Sequence, residues 1–379
     1  MHYNSASITA KSMAWMRLAS AYSVATKKWL MLLNELNCKP EELLSSISKA
    51  PFSKSAPNNT YKTASVLFEK ISEQSVKKAL VWLDGATERY IITFECPEYP
   101  DMLKTLDSPP LVLFIIGNPL LLQQPQIAMV GSRRASHQGK SIAEDMATAL
   151  ANAGVTVTSG MALGIDAAAH KGALKGVGKT IAVMGTGPDT IYPYKHRPLH
   201  NDIVTEEGAI ITEFFPGVPA KAWHFPRRNR LIAAISLGTL VVEAKIKSGT
   251  LITANLAADL GRDVFAIPGS LYHSYSEGCH WLIQQGAKLV TNVNDIFDEL
   301  AIEPLCTRVI DSVENEKSEV NSLATDKLLA SVDYDVTAID VIAQRGSMPV
   351  QQAMALLLEY ELCGLVTAVP GGYIKLRGK

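Results

Sequence analysis

Short apolar runs alternate with stretches of helical periodicity through the middle of the chain. Each run is rich in β-branched and aliphatic residues, and each following stretch has apolar positions three and four residues apart. Strands that are apolar on both faces, each followed by a helix, are typical of a parallel sheet covered on both sides. The pattern therefore predicts a doubly wound α/β domain with a mostly parallel sheet. The predicted strands are Ile127–Val130, Val155–Thr158, Thr180–Met184, Ala209–Thr212, Thr239–Val242 and Val264–Ile267.

The flanking regions have different patterns. Residues 1–95 predict a small helical domain of the SAM-like type, with an amphipathic stretch from Ala14 to Leu36 and a Ser/Asn/Pro-rich break near Ser53–Asn59. The α/β pattern occupies residues 96–300, and residues 301–324 are polar and acidic, which suits a linker. Residues 325–379 predict two helices followed by a hairpin, which together indicate a winged helix.

Composition narrows the class of protein. The chain has 36 Lys and Arg against 37 Asp and Glu, so its net charge of −1 gives no global sign of nucleic-acid binding. No apolar run approaches the ~20 residues that cross a bilayer, and the N-terminus lacks an export signal. Five cysteines lie far apart without zinc-ligand spacing. We expect a cytoplasmic protein with reduced thiols, no membrane association, no metal and no cofactor.

One candidate anion site follows the first predicted strand of the α/β domain. The strand ends in Gly131 and Ser132, Arg133 and Arg134 come next, and a helix begins near Gly139. A turn from strand to helix directs backbone N–H groups and the positive end of the helix outward, which favours phosphate. The glycine spacing is not that of a dinucleotide site, so a structural turn with incidental arginines is the alternative.

A second candidate is the segment Phe225–Leu231, where arginines are concentrated at the start of a predicted helix. The helix dipole disfavours cations at that end unless an anion lies between them. No acid occurs between Asp107 and Glu144 or between Glu213 and Glu243, so these positive charges lack acidic neighbours along the chain. We expect a polyanion as the partner; a solvated charged face is the alternative. The basic residues of this segment are Arg227, Arg228 and Arg230, and Asn229 lies among them.

Asp166 and His170 are one helical turn apart and allow two interpretations. They form either a catalytic acid/base pair or, as we favour, a helix cap and a buried histidine. Ser248-Gly249-Thr250 opens another predicted helix, and its backbone is as compatible with a structural role as with a binding role. The sequence contains no nucleophile triad, Walker A motif or metal cluster, so no catalytic residue is predicted.

Eight segments, in order, resemble the DNA-processing protein A (DprA, also called Smf) family. The resemblance extends from about Tyr99 to Asn294, and the winged helix also fits. The segments are Gly131-Ser-Arg133, Ser159-Gly-Met-Ala-Leu-Gly-Ile-Asp-Ala-Ala-Ala-His170, Ile191-Tyr-Pro193, Phe225-Pro-Arg-Arg-Asn-Arg230, Val242-Glu-Ala244, Ser248-Gly-Thr-Leu-Ile-Thr-Ala254, Val264-Phe-Ala-Ile-Pro-Gly269 and Leu282-Ile-Gln-Gln-Gly-Ala287.

The resemblance implies an extended Rossmann-like domain that binds single-stranded DNA, dimerises and helps to load the recombinase RecA during natural transformation. It implies a binding protein rather than an enzyme. We expect phosphates to lie near the two arginine-bearing segments, and a base to stack on Phe225 unless that ring belongs to the core. The predicted DNA-binding residues are Gly131, Ser132, Arg133, Arg134, Ser159, Gly160, Lys195, Lys221, Phe225, Arg227, Arg228, Asn229 and Arg230.

Two other functions remain as alternatives. The first is a nucleotide hydrolase, since the sequence resembles the Gly-Thr-x-x-Glu site of Rossmann-like phosphoribohydrolases at Gly238, Thr239 and Glu243. The glutamate, however, lies one residue further along the chain than that motif requires. In the second, the winged helix acts as a transcription regulator. Residues 325–379 hold five Lys and Arg against six acids, so duplex phosphate would be repelled there, and a protein-docking or regulatory role is favoured.

Overall fold

The computed structural model describes residues 8–48, 66–303 and 327–376. The chain divides into two compact units, residues 1–305 and 306–379. The break expected near Ser53–Asn59 lies outside the described residues, as does the linker expected at 301–324 except for residues 301–303. Within the described part of the chain, no helix has the length and apolar character needed to cross a membrane.

A nine-stranded sheet organises the first unit. The strands lie in the order β1-β2-β6-β5-β4-β3-β7-β8-β9; β1 and β2 pair antiparallel, as do β2 and β6, and all other pairs are parallel. The strands are β1 (Arg89–Thr93), β2 (Val112–Gly117), β3 (Gln126–Val130), β4 (Thr156–Ser159), β5 (Thr180–Val183), β6 (Ala209–Thr212), β7 (Gly238–Val241), β8 (Asp263–Ala266) and β9 (Lys288–Leu289).

Helices cover both faces of this sheet. One face packs against apolar side chains of α9, α10 and α11, and the other against those of α6, α7 and α12. The doubly wound α/β prediction is confirmed. The α-helices of the first unit whose bounds lie within the described residues are α1 (Ala10–Ser20), α2 (Thr26–Glu35), α3 (Pro40–Ser48), α4 (Glu73–Asp84), α5 (Asp101–Lys104), α6 (His137–Asn152), α7 (Ile165–Ala173), α8 (Arg197–Thr205), α9 (His224–Ile235), α10 (Gly249–Asp259), α11 (Glu277–Gln284) and α12 (Asn294–Leu300).

The N-terminal helices pack against the antiparallel edge of the sheet. The stretch from Ala14 to Leu36, predicted as one amphipathic unit, forms α1 and α2 with a turn between them. Trp82 of α4 packs on Phe114 of β2, and Phe114 packs in turn on Phe215. Strand β1, which the sequence placed inside the helical domain, is therefore part of the large sheet and joins the helical layer to it.

The chain reverses its direction of winding at β3. After β3 it passes through α6 to β4 on one side, whereas after β7, the other neighbour of β3, it passes through α10 to β8 on the opposite side. Helices α6 and α10 lie on opposite faces. The carboxyl ends of β3 and β7 therefore flank a topological switch point, where a crevice opens in doubly wound folds.

The second unit has the predicted winged-helix pattern. Its core includes Leu328, Ile342, Leu357 and Val366. The two strands pair antiparallel, and Val369 lies opposite Gly372 at the turn. The described elements are α13 (Lys327–Ala330), α14 (Ile339–Arg345), α15 (Val350–Leu362), β10 (Val366–Val369) and β11 (Gly372–Lys375).

Close packing between α6 and α7 depends on Gly172. A Cβ at this position would lie 2.1 Å from the Glu144 carbonyl oxygen, so Gly172→Ala must push the two helices apart. We predict that it lowers the free energy of unfolding by about 1–3 kcal/mol, despite the better helix propensity of alanine. Gly249→Ala is the matched control because, apart from its chain neighbours and the nearby backbone of its own helix, no atom lies within 4 Å of its Cβ position. Denaturant unfolding of both variants tests the prediction; equal stabilities would contradict it.

Candidate functional site

A cleft of about 500 Å³ lies at the switch point, between the carboxyl ends of β3 and β7. We call it the switch-point cleft. Segments distant in sequence meet there, among them both arginine-bearing segments identified above. Its lining includes Gly131, Ser132, Arg133, Arg134, Ala162, Asp166, Phe225, Arg228, Asn229, Lys245, Lys247, Ser248, Gly249, Thr250 and Tyr275.

The loop after β3 forms one wall of the cleft, and its backbone is held on two sides. The Ser132 N–H donates to the Glu243 carbonyl oxygen (2.8 Å), and the Ser132 carbonyl oxygen accepts from the Ile165 N–H (3.3 Å). The Ser132 hydroxyl accepts a hydrogen bond from the Arg134 N–H at 3.1 Å. Arg133 and Arg134 are exposed, and neither forms an ion pair with any described residue. Their positive charge therefore faces solvent at the cleft.

Glu243 forms hydrogen bonds that hold the N-terminus of α6 next to this loop. Its carboxylate accepts from the Ser136 N–H (2.9 Å) and from the Ser136 hydroxyl (2.5 Å), while that hydroxyl oxygen accepts from the Gly139 N–H (2.8 Å). A Cβ on Gly139 would lie 2.3 Å from the Glu243 carboxyl carbon, so glycine permits this approach. Glu243 is buried, and its described contacts are those of a helix cap.

Arg228 forms part of the cleft floor. It is only 4 % exposed, and its Nη1 donates to the carbonyl oxygens of Gly160 (2.6 Å) and Val183, which lie at the ends of β4 and β5. Its Nε donates to Asn229 Oδ1 at 3.0 Å. Burial lowers the pKa of Arg228 to about 10, and the Asp166 carboxylate opposes that change. The guanidinium stays charged at neutral pH and is fixed in place.

Asp166 supplies the nearby negative charge. Its Oδ2 accepts from the N–H groups of Gly160 and Ala162, both at 3.2 Å. Burial raises the pKa of Asp166, and Arg228 acts in the opposite direction. A Cβ on Gly160 would lie 2.7 Å from Arg228 Nη2 and 2.8 Å from Asp166 Oδ2. Glycine is therefore required where these two charged groups approach the backbone.

Two of the predicted phosphate ligands use their polar groups inside the protein. The Ser159 hydroxyl is buried and donates to the Met129 carbonyl oxygen at 2.6 Å. The Gly160 N–H donates to Asp166. In this arrangement both residues shape the floor of the cleft.

Phe225 brings the two arginine segments together. The Arg133 guanidinium carbon lies 5.8 Å from the centre of the Phe225 ring, and that of Arg228 lies 5.9 Å from it. The ring is half-buried and also packs against Tyr192, with 5.3 Å between ring centres. Arg133 and Arg228 therefore converge on one aromatic side chain, as the sequence-based hypothesis of a shared groove requires.

Arg227 and Arg230 have a different environment. Glu213, which follows β6, is buried and accepts from Arg227 Nη2 at 3.0 Å and from Arg230 Nη2 at 2.6 Å. Arg230 also donates to the Ser108 carbonyl oxygen at 2.8 Å. The expectation of unpaired charge is therefore wrong for these two arginines. Glu213, which bounds the stretch of sequence without acids, forms ion pairs with both arginines in the folded protein.

The two predicted lysines lie outside the cleft lining. Lys195 belongs to a short 3₁₀ turn (Tyr194–His196), and Lys221 precedes α9; both side chains are exposed. Sequence reasoning missed Lys245 and Lys247, which line the cleft after β7. Lys245 Nζ lies 4.9 Å from the Tyr275 ring. A further stretch without acids runs from Glu243 to Asp259 and contains both lysines, so the distribution of charge along the sequence could have identified them.

His170 is enclosed, which favours the structural interpretation. Its Nε2 accepts from the Met161 N–H at 3.3 Å, and its Nδ1 lies 2.7 Å from the Thr180 hydroxyl oxygen. Burial lowers the pKa of His170 to about 3, so the ring is neutral at physiological pH. In the described part of the chain, no cluster of three or more His, Cys, Asp or Glu side chains is placed to hold a metal ion.

Removing the Glu213 carboxylate should destabilise the protein. Glu213→Ala leaves Arg227 and Arg230 without their acidic partner, and we predict a loss of about 2–5 kcal/mol in the free energy of unfolding. Glu206→Ala, at an exposed position after α8, should change it by less than about 0.5 kcal/mol. Denaturant titration distinguishes them; similar stabilities would show that the Glu213 pairs contribute little.

His170 should make the fold acid-sensitive. The unfolded chain binds a proton at this residue below about pH 6.5, whereas the folded protein resists it down to about pH 3, so stability falls as pH drops through this window. Between about pH 7.5 and 5.5 the wild type should lose about 1.4 kcal/mol more than His170→Gln. Unfolding curves at both pH values test this, and equal losses in the two proteins would contradict it.

Comparison with known proteins identifies the family. The profile described as "DNA recombination-mediator protein A" matches residues 90–301, and that described as "DprA winged helix domain" matches residues 315–372. The chain is 41% identical over 312 residues to Protein Smf of Escherichia coli K12, covering 82% of this chain and 83% of that protein. It is 47% identical over 201 residues to DNA processing protein DprA of Streptococcus pneumoniae, covering 53% and 71%.

Solved structures agree with this assignment. The X-ray structure of DprA from S. pneumoniae aligns with a TM-score of 0.62 and 35% identity, covering 77% of this chain and 98% of that one. A DNA processing protein A from Helicobacter pylori, whose structure concerns its single-stranded DNA binding mode, aligns with a TM-score of 0.51 and 30% identity, covering 56% and 95%. The chain belongs to the DNA-processing protein A (DprA/Smf) family.

Proposed function

We propose that the switch-point cleft binds single-stranded DNA without reading its base sequence. The observation that carries this proposal is the convergence of Arg133 and Arg228 on the ring of Phe225 at the cleft. Cations that hold phosphates, next to an aromatic face on which a base can stack, are the elements of sequence-tolerant single-strand binding. Family membership supports the proposal, as does the single-stranded DNA binding of the H. pylori relative.

The geometry suggests different roles for Arg228 and Arg133 in binding phosphate. Arg228 is held by three hydrogen-bond acceptors on the floor of the cleft, so its side chain loses little conformational entropy when a phosphate binds. Arg133 is exposed and adjusts to the strand. Across the cleft, the N-terminus of α10 adds backbone N–H groups and the positive end of its dipole, and Lys245 and Lys247 add positive charge. Contacts of these kinds go to the sugar-phosphate backbone and carry no base code.

The predicted site residues divide into four groups under this proposal. Gly131, Ser132, Arg133, Arg134, Arg228, Asn229 and Phe225 form the contact surface, since all of them line the cleft. Ser159 and Gly160 shape its floor, and Arg227 and Arg230 fasten α9 through Glu213. Lys195 and Lys221 extend the line of positive charge onto loops outside the cleft.

We further propose the cellular role that the family resemblance implies. The protein protects incoming DNA and helps to load RecA during natural transformation, in the cytoplasm and as a homodimer. Sedimentation tests the homodimer. A RecA ATPase assay on DNA coated with single-strand-binding protein tests loading, because loading shortens the lag before hydrolysis.

The two alternative functions have less support. For a phosphoribohydrolase, Glu243 would have to act on a nucleotide, yet its carboxylate is buried and holds Ser136. For a transcription regulator, α15 would have to read duplex DNA, yet its exposed side chains include Met354, Leu358 and Glu359. Gln351 and Gln352 are exposed as well, but the helix carries no Lys or Arg to attract phosphate.

Binding should depend on salt through the arginines of the cleft. If about four phosphates are neutralised, the log of affinity should fall with the log of salt concentration at a slope of roughly −3. Arg133→Ala should weaken binding to any single-stranded sequence and flatten that slope by about 0.7, because one phosphate contact is lost. Fluorescence anisotropy at several salt concentrations measures both.

Lys77→Ala serves as the control, since it removes an exposed cation from α4 in the N-terminal helical layer. It should leave the slope unchanged. An unchanged slope for Arg133→Ala as well would remove this residue from the proposed site.

A further inference from the structure

Exposed aromatic side chains occupy two loops next to the switch-point cleft. Tyr192 is 47% exposed, Tyr194 71% and Trp223 56%. Tyr192 and Tyr194 lie between β5 and α8, and Trp223 immediately precedes α9. We call these three residues the aromatic shelf. Leaving large rings in water forfeits the free energy of burying them, so such a group is typical of a binding surface.

One residue of the aromatic shelf, Tyr192, contacts the cleft through Phe225. The rings of Tyr192 and Phe225 are 5.3 Å apart between centres and inclined by 41°. Arg133 and Arg228 lie over the same Phe225 ring. A strand whose phosphates meet these arginines therefore passes Phe225 and reaches Tyr192 as it leaves the cleft.

Contacts with nearby residues limit the movement of two of the rings of the aromatic shelf. Trp223 packs edge-on against His224, with 4.1 Å between ring centres and an interplanar angle of 77°. His224 is buried against Phe214, and its Nδ1 lies 3.1 Å from the Gly185 carbonyl oxygen. The Tyr194 hydroxyl accepts from Arg197 Nη1 at 3.3 Å. Rings that are already placed lose little conformational entropy when a base stacks on them.

Exposed cations lie close to the rings along the chain. Lys195 and Arg197 follow Tyr194 along the chain, and Lys221 comes two residues before Trp223. Cations that track a backbone, interleaved with aromatic faces, suit a strand whose bases are unpaired. Duplex DNA offers the same phosphates, but its bases are stacked on one another and cannot reach a protein ring. Only the aromatic component can therefore distinguish the two forms.

We infer that the aromatic shelf stacks unpaired bases outside the cleft and thereby selects single-stranded over duplex DNA. The inference rests on the proposed function of the cleft and assigns part of the selectivity to residues outside the cleft lining. The arginines supply binding that any phosphate backbone shares, and Tyr192, Tyr194 and Trp223 add to the discrimination that Phe225 provides inside the cleft.

The test compares three probes by fluorescence anisotropy with the full-length protein: an oligothymidylate, an abasic strand of the same length and a blunt duplex. Tyr192→Leu, Tyr194→Leu and Trp223→Leu should each weaken oligothymidylate binding by about fivefold or more, since one stacked base is worth about 1–3 kcal/mol. Affinity for the abasic strand and the duplex should stay within about twofold. Tyr192→Phe and Tyr194→Phe should bind like the wild type because they keep the ring.

Tyr334→Leu is the matched control, an exposed tyrosine in the second unit, and it should change none of the affinities. Equal losses on the abasic strand and on oligothymidylate would overturn the inference, as would oligothymidylate binding unchanged in all three variants. Failure of the wild type to bind oligothymidylate at all would instead overturn the proposed function itself. Circular dichroism and unfolding curves identify any variant that fails to fold, and for that position the tyrosine or tryptophan is exchanged for methionine.

Discussion

The buried guanidinium of Arg228 is the feature on which the rest of the site depends. A charge removed from water needs acceptors and a nearby opposite charge, or it costs several kcal/mol. The ends of β4 and β5 provide carbonyl oxygens, and Asp166 provides the charge. Gly160 is required because a larger residue would collide with both charged groups. The floor of the cleft thus follows from accommodating one arginine at the carboxyl ends of the strands.

Acidic residues are arranged around this floor so that cations stay available above it. Glu213 holds Arg227 and Arg230 at the side, and Glu243 holds the start of α6 from below. Arg133 and Arg134 keep their charge exposed at the rim. A protein with almost no net charge can in this way present a locally positive groove, because Glu213 and Glu243 are occupied in supporting its walls.

Much of the fold was predictable because buried parallel strands are apolar on both faces. The six predicted strands of the α/β domain match β3 to β8 to within a residue at each end. Strands β1 and β2 were missed because an antiparallel edge lacks the helix after each strand that marks a parallel sheet. The convergence of Arg133 and Arg228 followed from topology, since the loops after parallel strands all lie at the carboxyl edge of the sheet. The pairing of Arg227 with Glu213 did not, because a count of charge along the chain does not include contacts made across the fold. Similarly, no pattern reveals that the Ser159 hydroxyl points back to Met129.

The location of the DNA is the central claim, and photocrosslinking measures it most directly. A single strand containing iodouracil, irradiated in complex with the full-length protein and mapped by mass spectrometry, reports which aromatic side chains touch its bases. The account predicts crosslinks in the peptides that carry Phe225 and Tyr192. Crosslinks confined to the winged helix, with none at the switch-point cleft, would contradict it.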